Sequence, residues 1–470
     1  MNTAIVWFRN DLRVHDNEAL FKATEKFDHV IPFYCFEEGL FQKTRFGFPK
    51  IATHRARFLI ESVQNLKKNI QKLGSDLVVR TGNPVKHLID LSKDSQAIAI
   101  FCHKEITAEE VEIEKQLAKL FEGEITYFYG AALYHPNDIP FKMEEIPTVF
   151  TPFRKKIEER SKVRACFPIP EKIKQLPSQI FIGQIPLLED FGIEFVEKDT
   201  REVLPFQGGE DEAMLRLNHY FYESKELSLY KEKRNGLIGA NYSSKLSVWL
   251  WNGCISPRRI YWEVKNYEQQ VEANDSTYWL IFELIWRDYF KYIAIKYGNR
   301  IFHKKGIQNQ VYQYKDNRDF VKAWTTGQTG VPFIDANMRE LNATGFMSNR
   351  GRQNVASFLV KELQLDWRIG AEYFESMLLD YDVCSNYGNW MYIAGVGNDS
   401  RDRYFNIILQ AKNYDPDGEY VKLWISELVE LEKKVVHHPW TTQNTLFNQV
   451  EGVEYPKMVI PPPTYWEKHY

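Results

Sequence analysis

Apolar residues follow two rhythms along this chain. In the first third, short runs rich in Val, Ile, Phe and Tyr occur at Ala4 to Phe8, Val30 to Phe36, Leu77 to Arg80, Ala97 to His103 and Ile125 to Tyr129. Between them lie segments such as His54 to Leu73 and Thr107 to Phe121, whose apolar positions recur at helical spacing. Strand, helix, strand repeated this way predicts an α/β domain over residues 1–130, built on a doubly wound, parallel, five-stranded sheet. From Ala131 to Pro205 the rhythm loosens under repeated prolines, which predicts a long interdomain linker over residues 131–205. After Gly208-Gly209-Glu210 the alternation disappears and helical spacing continues to about Lys434, so residues 206–470 read as an all-helical second domain. The last thirty residues, with Pro461-Pro462-Pro463 and Tyr465, Trp466 and Tyr470, read as a short docked or frayed tail.

A chain of 470 residues can bury a substantial core without disulfides, and its 44% hydrophobic and 26% charged content is that of a water-soluble globular protein. Its net charge of -3 gives no global attraction to a polyanion, so binding of nucleic acid needs a local basic patch. Arg154, Lys155, Lys156, Arg160, Lys162 and Arg164 form such a cluster, interrupted by Glu158 and Glu159; a solvated helix face and a phosphate contact both fit. The five cysteines are dispersed, which excludes a zinc or iron–sulfur framework and leaves no metal site expected. The chain enters its first strand without a basic leader or a long apolar segment, and no apolar run is long enough to span a bilayer. The expectation is a cytoplasmic monomer without a membrane partner. No GxGxxG follows the first strand and no GxxxxGK[ST] occurs, so neither usual nucleotide clamp is present.

Three constellations carry candidate chemistry. Glu283, Trp286, Arg287 and Phe290 recur at i, i+3, i+4 and i+7, placing an acid, an indole, a guanidinium and a ring on one helix face. Spacing alone leaves open an intrahelical Glu–Arg pair beside core aromatics, or a cavity wall in which Trp286 stacks and Arg287 meets phosphate. Tyr242-Ser243-Ser244-Lys245-Leu246-Ser247 sets hydroxyls and a lysine before a helical run, suiting a helix cap, an anion site, or both. The block from Asn349 to Tyr392 brings together Arg352, Asp380, Asp382, Asn386 and Trp390, an inventory suited to holding a planar redox cofactor. Two buried carboxylates at Asp380 and Asp382 would be costly without cationic partners such as Arg352. Asn386 and Trp390 share a face at i, i+4, with Trp367 on an adjacent helix.

The motifs VWFRNDLRVHDN at Val6 to Asn17, GGE at Gly208 to Glu210, LIGANYSSKLS at Leu237 to Ser247 and GCISPRRIY at Gly253 to Tyr261 run on in order. ANDSTYWLIFELIWRDYF at Ala273 to Phe290, TGFMSNRGRQNVASF at Thr344 to Phe358 and DYDVCSNYGNWMY at Asp380 to Tyr392 complete the series. On these the chain resembles the photolyase and cryptochrome flavoproteins, most closely the DASH cryptochrome branch. The resemblance implies an antenna-binding α/β domain and a helical domain holding FAD. Tyr230, Arg234, Ser243, Ser244, Lys245, Leu246, Ser247, Glu283, Arg287, Arg352, Asp380, Asp382 and Asn386 would be its flavin-site residues, with Asn386 at N5 and the Arg352–Asp380 ion pair across the ring. The antenna would be 5,10-methenyltetrahydrofolate, with Glu105 as a contact.

The implied reaction is light-dependent repair of cyclobutane pyrimidine dimers, a deoxyribodipyrimidine photo-lyase chemistry in which photoexcited reduced FAD transfers an electron to the lesion. Trp286 and Tyr392 would flank the extruded dimer, with Glu283 and Asn349 bonding its bases. Arg258, Arg259, Arg350 and Gln353 would serve DNA binding, and Trp390, Trp367 and Tyr314 would relay electrons. Gln353 and Tyr392 stand where classical dimer photolyases usually carry methionine and a second tryptophan, so the expected partner is single-stranded DNA and duplex repair is doubtful. Tyr314 replaces the usual terminal tryptophan, which would slow the outer relay step or reroute it through Trp324. The competing reading is a blue-light photoreceptor that signals through flavin redox state; the short chain after His437-His438-Pro439-Trp440 favours repair.

Overall fold

In this computed structural model, which describes residues 2–399, 404–441 and 455–470, five β-branched and aromatic runs pair as parallel strands. They are β1 (Thr3–Phe8), β2 (His29–Glu37), β3 (Val78–Gly82), β4 (Ala97–His103) and β5 (Glu124–Phe128), in the order β3-β2-β1-β4-β5. All six residues of β1 are buried, as expected of a central strand covered on both faces. Helices α1 (Glu18–Lys26), α2 (Thr53–Lys72), α3 (Pro84–Ser95) and α4 (Ala108–Leu120) connect the strands. Asn17 caps α1 by accepting the Leu20 N–H, and Asn83 caps α3 ahead of Pro84, so the helix starts follow from local sequence. The strand order reverses between β1 and β4, so a crevice opens at their carboxyl ends, where such sheets bind ligands.

The linker is held to both domains. The Val79 N–H on the edge strand β3 donates to Ile182 O at 2.8 Å, and Ile180 enters the apolar core on one sheet face. Helix α5 (Phe150–Arg160) turns Phe150, Phe153 and Ile157 inward. There Phe153 meets Tyr289 and Tyr292 of the helix Asp275–Tyr297.

That 23-residue helix is the axis of the second domain, capped by Asn274, whose side chain accepts from the Ser276 and Thr277 N–H groups. The helices Pro332–Thr344, Asn349–Ser357, Trp367–Met377 and Val383–Ala394 belong to the same domain. The last α-helix ends at Trp424, earlier than the helical pattern implies, and only short 3-10 turns follow among the described residues. The tail from Tyr455 docks: the Val459 N–H donates to Thr329 O at 3.0 Å, Tyr455 OH to Asp335 at 2.6 Å, and Trp466 is fully buried. The tail positions from 442 to 454 lie outside the described residues. Among the described residues, no helix is long and apolar enough to cross a membrane.

Candidate functional site

One cavity of about 440 Å³ opens in the helical domain, and most of the predicted flavin and lesion residues line it. Tyr230, Arg234, the segment from Ser243 to Ser247, Glu283, Trp286, Arg287, Asn349, Arg352, Gln353, Asp380, Asp382, Asn386, Trp390 and Tyr392 all face it.

The serine-rich loop is braced from behind by Arg216, which the sequence reading missed. Its guanidinium donates to the carbonyls of Ala240, Ser243 and Ser244 and to Asn241 Oδ1, at 2.9 to 3.0 Å. Those carbonyls are thereby turned away from the cavity. The helical run after the loop is a single turn, Ser247–Leu250, so an anion here would be held by hydroxyls and N–H groups rather than by a long helix dipole. Lys245 is buried in a left-handed backbone conformation, its ammonium 3.3 Å from the Tyr242 ring. Burial, and then Arg216, push its pKa well below the usual lysine range.

The two acids have separate partners. Arg352 grips Asp380 with both terminal nitrogens, at 2.9 and 3.0 Å, and Ser247 Oγ adds a bond at 2.7 Å. Asp382 caps the helix Val383–Ala394 by accepting the Ser385 N–H, and takes Lys291 Nζ at 2.9 Å and Arg287 Nη2 at 3.5 Å. Burial raises the Asp382 pKa, but the Lys291 and Arg287 charges outweigh it and hold the carboxyl far below the usual range. Lys291 is also a newly found partner. Its spacing from Glu283 and Arg287, i+8 and i+4, puts it on the same helix face, and that periodicity is the signal that could have found it.

Glu283 pairs with Arg234 at 2.5 Å, not with Arg287 on its own helix. Burial raises its pKa and Arg234 partly restores it. Arg287, on the cavity wall, donates to Ala131 O at 2.5 Å and Leu250 O at 3.1 Å, and so ties the linker to the turn Ser247–Leu250. Asn386 donates its amide to Ala371 O at 2.9 Å, which leaves the amide oxygen to face the cavity.

At the mouth, the ring of Trp286 is covered on one face by Phe150 of α5, the planes 11° apart and the centroids 3.6 Å apart. Only the other face remains for a guest. Arg350 spreads its guanidinium over Gln353, Gln410 and Asn235 without a carboxylate partner among the described residues, leaving its charge uncompensated. Arg258 does not fit the expected DNA contact: it is 1% exposed and holds Asp16 of the α/β domain at 2.8 Å. A buried guanidinium satisfied by a buried carboxylate cannot reach a phosphate. Arg259 also lies outside the cavity wall, paired with Glu263 at 2.7 Å.

Trp390 lines the cavity and meets Trp324 edge-on at 6.2 Å and Phe374 at 5.1 Å. Trp367, fully buried, donates to Lys304 O, and the Lys304 ammonium lies 4.9 Å from the Tyr314 ring, which brings Trp367 and Tyr314 to one locus. Burial raises the Tyr314 pKa, and its hydroxyl has no hydrogen-bond partner among the described residues. Away from this cavity, Asn10 and Glu105 follow β1 and β4 at the switch-point crevice, where Asn10 Nδ2 donates to Glu105 at 3.1 Å. Burial pushes the Glu105 pKa up to about 7, against the pull of Arg9.

A flavin fits this chemistry: paired acids and cations, a cavity-facing amide oxygen, and a buried Tyr242 hydroxyl and Lys245 ammonium without hydrogen-bond partners among the described residues. Among the described residues no group of three or more His, Cys, Asp or Glu is arranged to hold a metal.

Residues 4–174 match the family described as DNA photolyase, and residues 279–464 the one described as the FAD binding domain of DNA photolyase. The chain is 49% identical over 465 residues to a protein named cryptochrome DASH from Gloeobacter violaceus, covering 97% of this chain and 93% of that one. It is 47% identical over 475 residues to a cryptochrome DASH from Xenopus laevis, covering 99% and 91%. Among solved structures, the Synechocystis sp. PCC6803 cryptochrome matches with a TM-score of 0.94 at 46% identity, over 98% of this chain and 97% of that one. A bacterial class III photolyase from Agrobacterium tumefaciens matches at 0.85 and 29% identity, over 100% and 96%.

Proposed function

The chain belongs to the photolyase and cryptochrome family, on its DASH branch, and from that membership we propose that it repairs cyclobutane pyrimidine dimers in single-stranded DNA, driven by light absorbed at FAD. The observation that carries this reading is one continuous cavity joining the Arg352, Asp380, Asp382 and Asn386 wall to a mouth set with Trp286, Glu283, Asn349, Gln353 and Tyr392. Arg352, Asp380, Asp382, Asn386 and the Ser243 to Ser247 loop would hold FAD, which when bound supplies the electron that opens the cyclobutane ring and receives it back.

The side chains do the rest. The Asn386 amide oxygen offers an acceptor to a protonated ring nitrogen, and the Arg352 cation offsets negative charge developing beside it. Trp286 offers one rigid stacking face, and Glu283, when protonated, donates to a pyrimidine carbonyl. Gln353 and Tyr392 make the lesion pocket more polar than a pair of indoles and a thioether would. Stacking gains are therefore small against the cost of extruding two bases from a duplex, which a single strand largely avoids. At the switch-point crevice, Glu105 would contact a methenyltetrahydrofolate antenna, consistent with where parallel sheets receive ligands.

The test is illumination of the FAD-loaded protein with a dimer in matched single-stranded and duplex oligonucleotides. Splitting about tenfold or more faster in the single strand is expected, since flipping from a duplex costs a few kcal/mol. Equal rates would overturn the strand preference. A light-responsive spectrum with intact dimers in both would point to a photoreceptor instead.

A further inference from the structure

The basic cluster on and after α5 is not used by the cavity just described, and the structure sets it beside a second groove. This groove, about 480 Å³, is lined by Tyr134, Val163, Tyr261, Trp262, Tyr278 and Ile281, with Glu158, Lys162 and Lys265 at its edges. Two of its rings are exposed, Trp262 by 38% and Tyr278 by 36%. Both are fixed in place. Trp262 Nε1 donates to Arg164 O at 2.9 Å, while the Tyr278 hydroxyl lies between Arg154 and Glu158 at 2.7 Å from each. Glu158 is thus neutralised by Arg154, and Arg164 by Asp138. Lys155, Lys156 and Lys162 have no carboxylate partner among the described residues, and Lys155 and Lys162 are exposed. The local charge facing solvent is therefore positive, although the whole chain carries -3.

The groove and the lesion pocket are separate cavities that adjoin at Phe282. Tyr278 and Phe282 lie 6.3 Å apart, the Arg154 guanidinium sits 5.6 Å from the Phe282 ring, and Phe282 lines the flavin cavity beside Trp286. Tyr278 and Trp286 are eight positions apart on one helix, about 12 Å along its axis, the length of a few nucleotides. Exposed rings with unpaired cations nearby are what a single-stranded nucleic acid needs, since any base can stack and every phosphate is attracted.

We propose that Trp262, Tyr278 and the lysines Lys155 and Lys162 form a secondary binding track for the single strand that flanks the lesion. The inference deepens the repair reading and rests on it for the strand's direction, but an undamaged strand tests it separately. The probes are undamaged oligothymidylates of roughly four and roughly sixteen nucleotides, bound in the dark to the full-length FAD-loaded protein. Trp262→Ala and Tyr278→Ala are each expected to weaken the longer probe about fivefold or more, and to leave the shorter one unchanged. Lys155→Glu with Lys162→Glu is expected to flatten the salt dependence for the longer probe, by about 0.7 in log–log slope for each phosphate no longer neutralised. Retained FAD content reports that each variant is folded.

Unchanged binding of the longer probe by Trp262→Ala and by the double lysine variant overturns the track. So does displacement by an oligoglutamate peptide as effective as by oligothymidylate, which would assign the groove to an acidic protein. Trp286→Ala serves as the separate control on the lesion pocket, since it should weaken a dimer-bearing probe relative to an undamaged one. Its failure would count against the repair reading and not against the track.

Discussion

At the cavity mouth, Glu283 accepts from Arg234 at 2.5 Å while burial keeps its carboxyl protonated to higher pH than usual. Only the protonated form donates to a pyrimidine carbonyl, so dark affinity for a dimer should fall as pH rises through a midpoint above 4.5. The stability sign is the same. The folded chain keeps a proton that the unfolded chain loses at 4.5, so ionising Glu283 costs stability as pH increases. Glu283→Gln, a permanent donor, should show an affinity that no longer falls as pH rises, whereas an unchanged slope would assign the titration elsewhere. Residue types in this site were legible from sequence, but their pairings were not. The i, i+4 spacing offered Arg287 to Glu283, and the fold gave it Arg234, 49 positions away. Arg258 shows the same limit: an arginine in a recognisable motif carries no mark of whether it faces solvent or a buried aspartate.

Helices in this domain approach one another through glycine. A Cβ at Gly370 would overlap Trp390 Cη2, and one at Gly388 would overlap Phe290 Cδ1. Gly370→Ala should therefore be harmful although alanine favours a helix interior by about 1 kcal/mol. The displaced Trp390 would intrude on the cavity, and the expected result is loss of bound FAD from a protein whose circular dichroism is unchanged. Full FAD occupancy would mean the helix Trp367–Met377 shifts freely. The element pattern was well legible because buried parallel strands and capped helices leave local signatures at Asn17, Asn83 and Asn274. Helix α5 was harder to weigh. The prolines around it and its own charges read as surface crossing, yet Phe150 backs the stacking wall at 3.6 Å, a contact between segments 136 positions apart that no local periodicity encodes.

Across the whole molecule, the seam between domains is electrostatic as well as apolar. Asp16 binds Arg258 through both carboxylate oxygens, takes Ser256 Oγ at 2.6 Å, and accepts the Phe167 N–H of the linker at 3.0 Å. A second carboxylate, Asp288, binds the linker N–H groups of Leu133 and Tyr134 at 2.9 and 2.8 Å. Breaking one partner of a buried pair leaves a bare charge, so Arg258→Ala should lower stability by about 3–5 kcal/mol. The midpoint of chemical denaturation measures this, and a shift within error would mean water reaches Asp16. The two-domain plan was readable from the change in rhythm near Gly208, because each domain's core imposes its own period. The seam was not, since it depends on contacts between residues 151 to 242 positions apart.

The buried Asp16–Arg258 lock also bears on recombination between relatives. A chimaera that joins the first half of one protein to the second half of another inherits a working junction only if both ends of the lock travel together. Shuffled libraries should therefore tolerate exchange within either half more readily than replacement of one half by a counterpart lacking the matching charge.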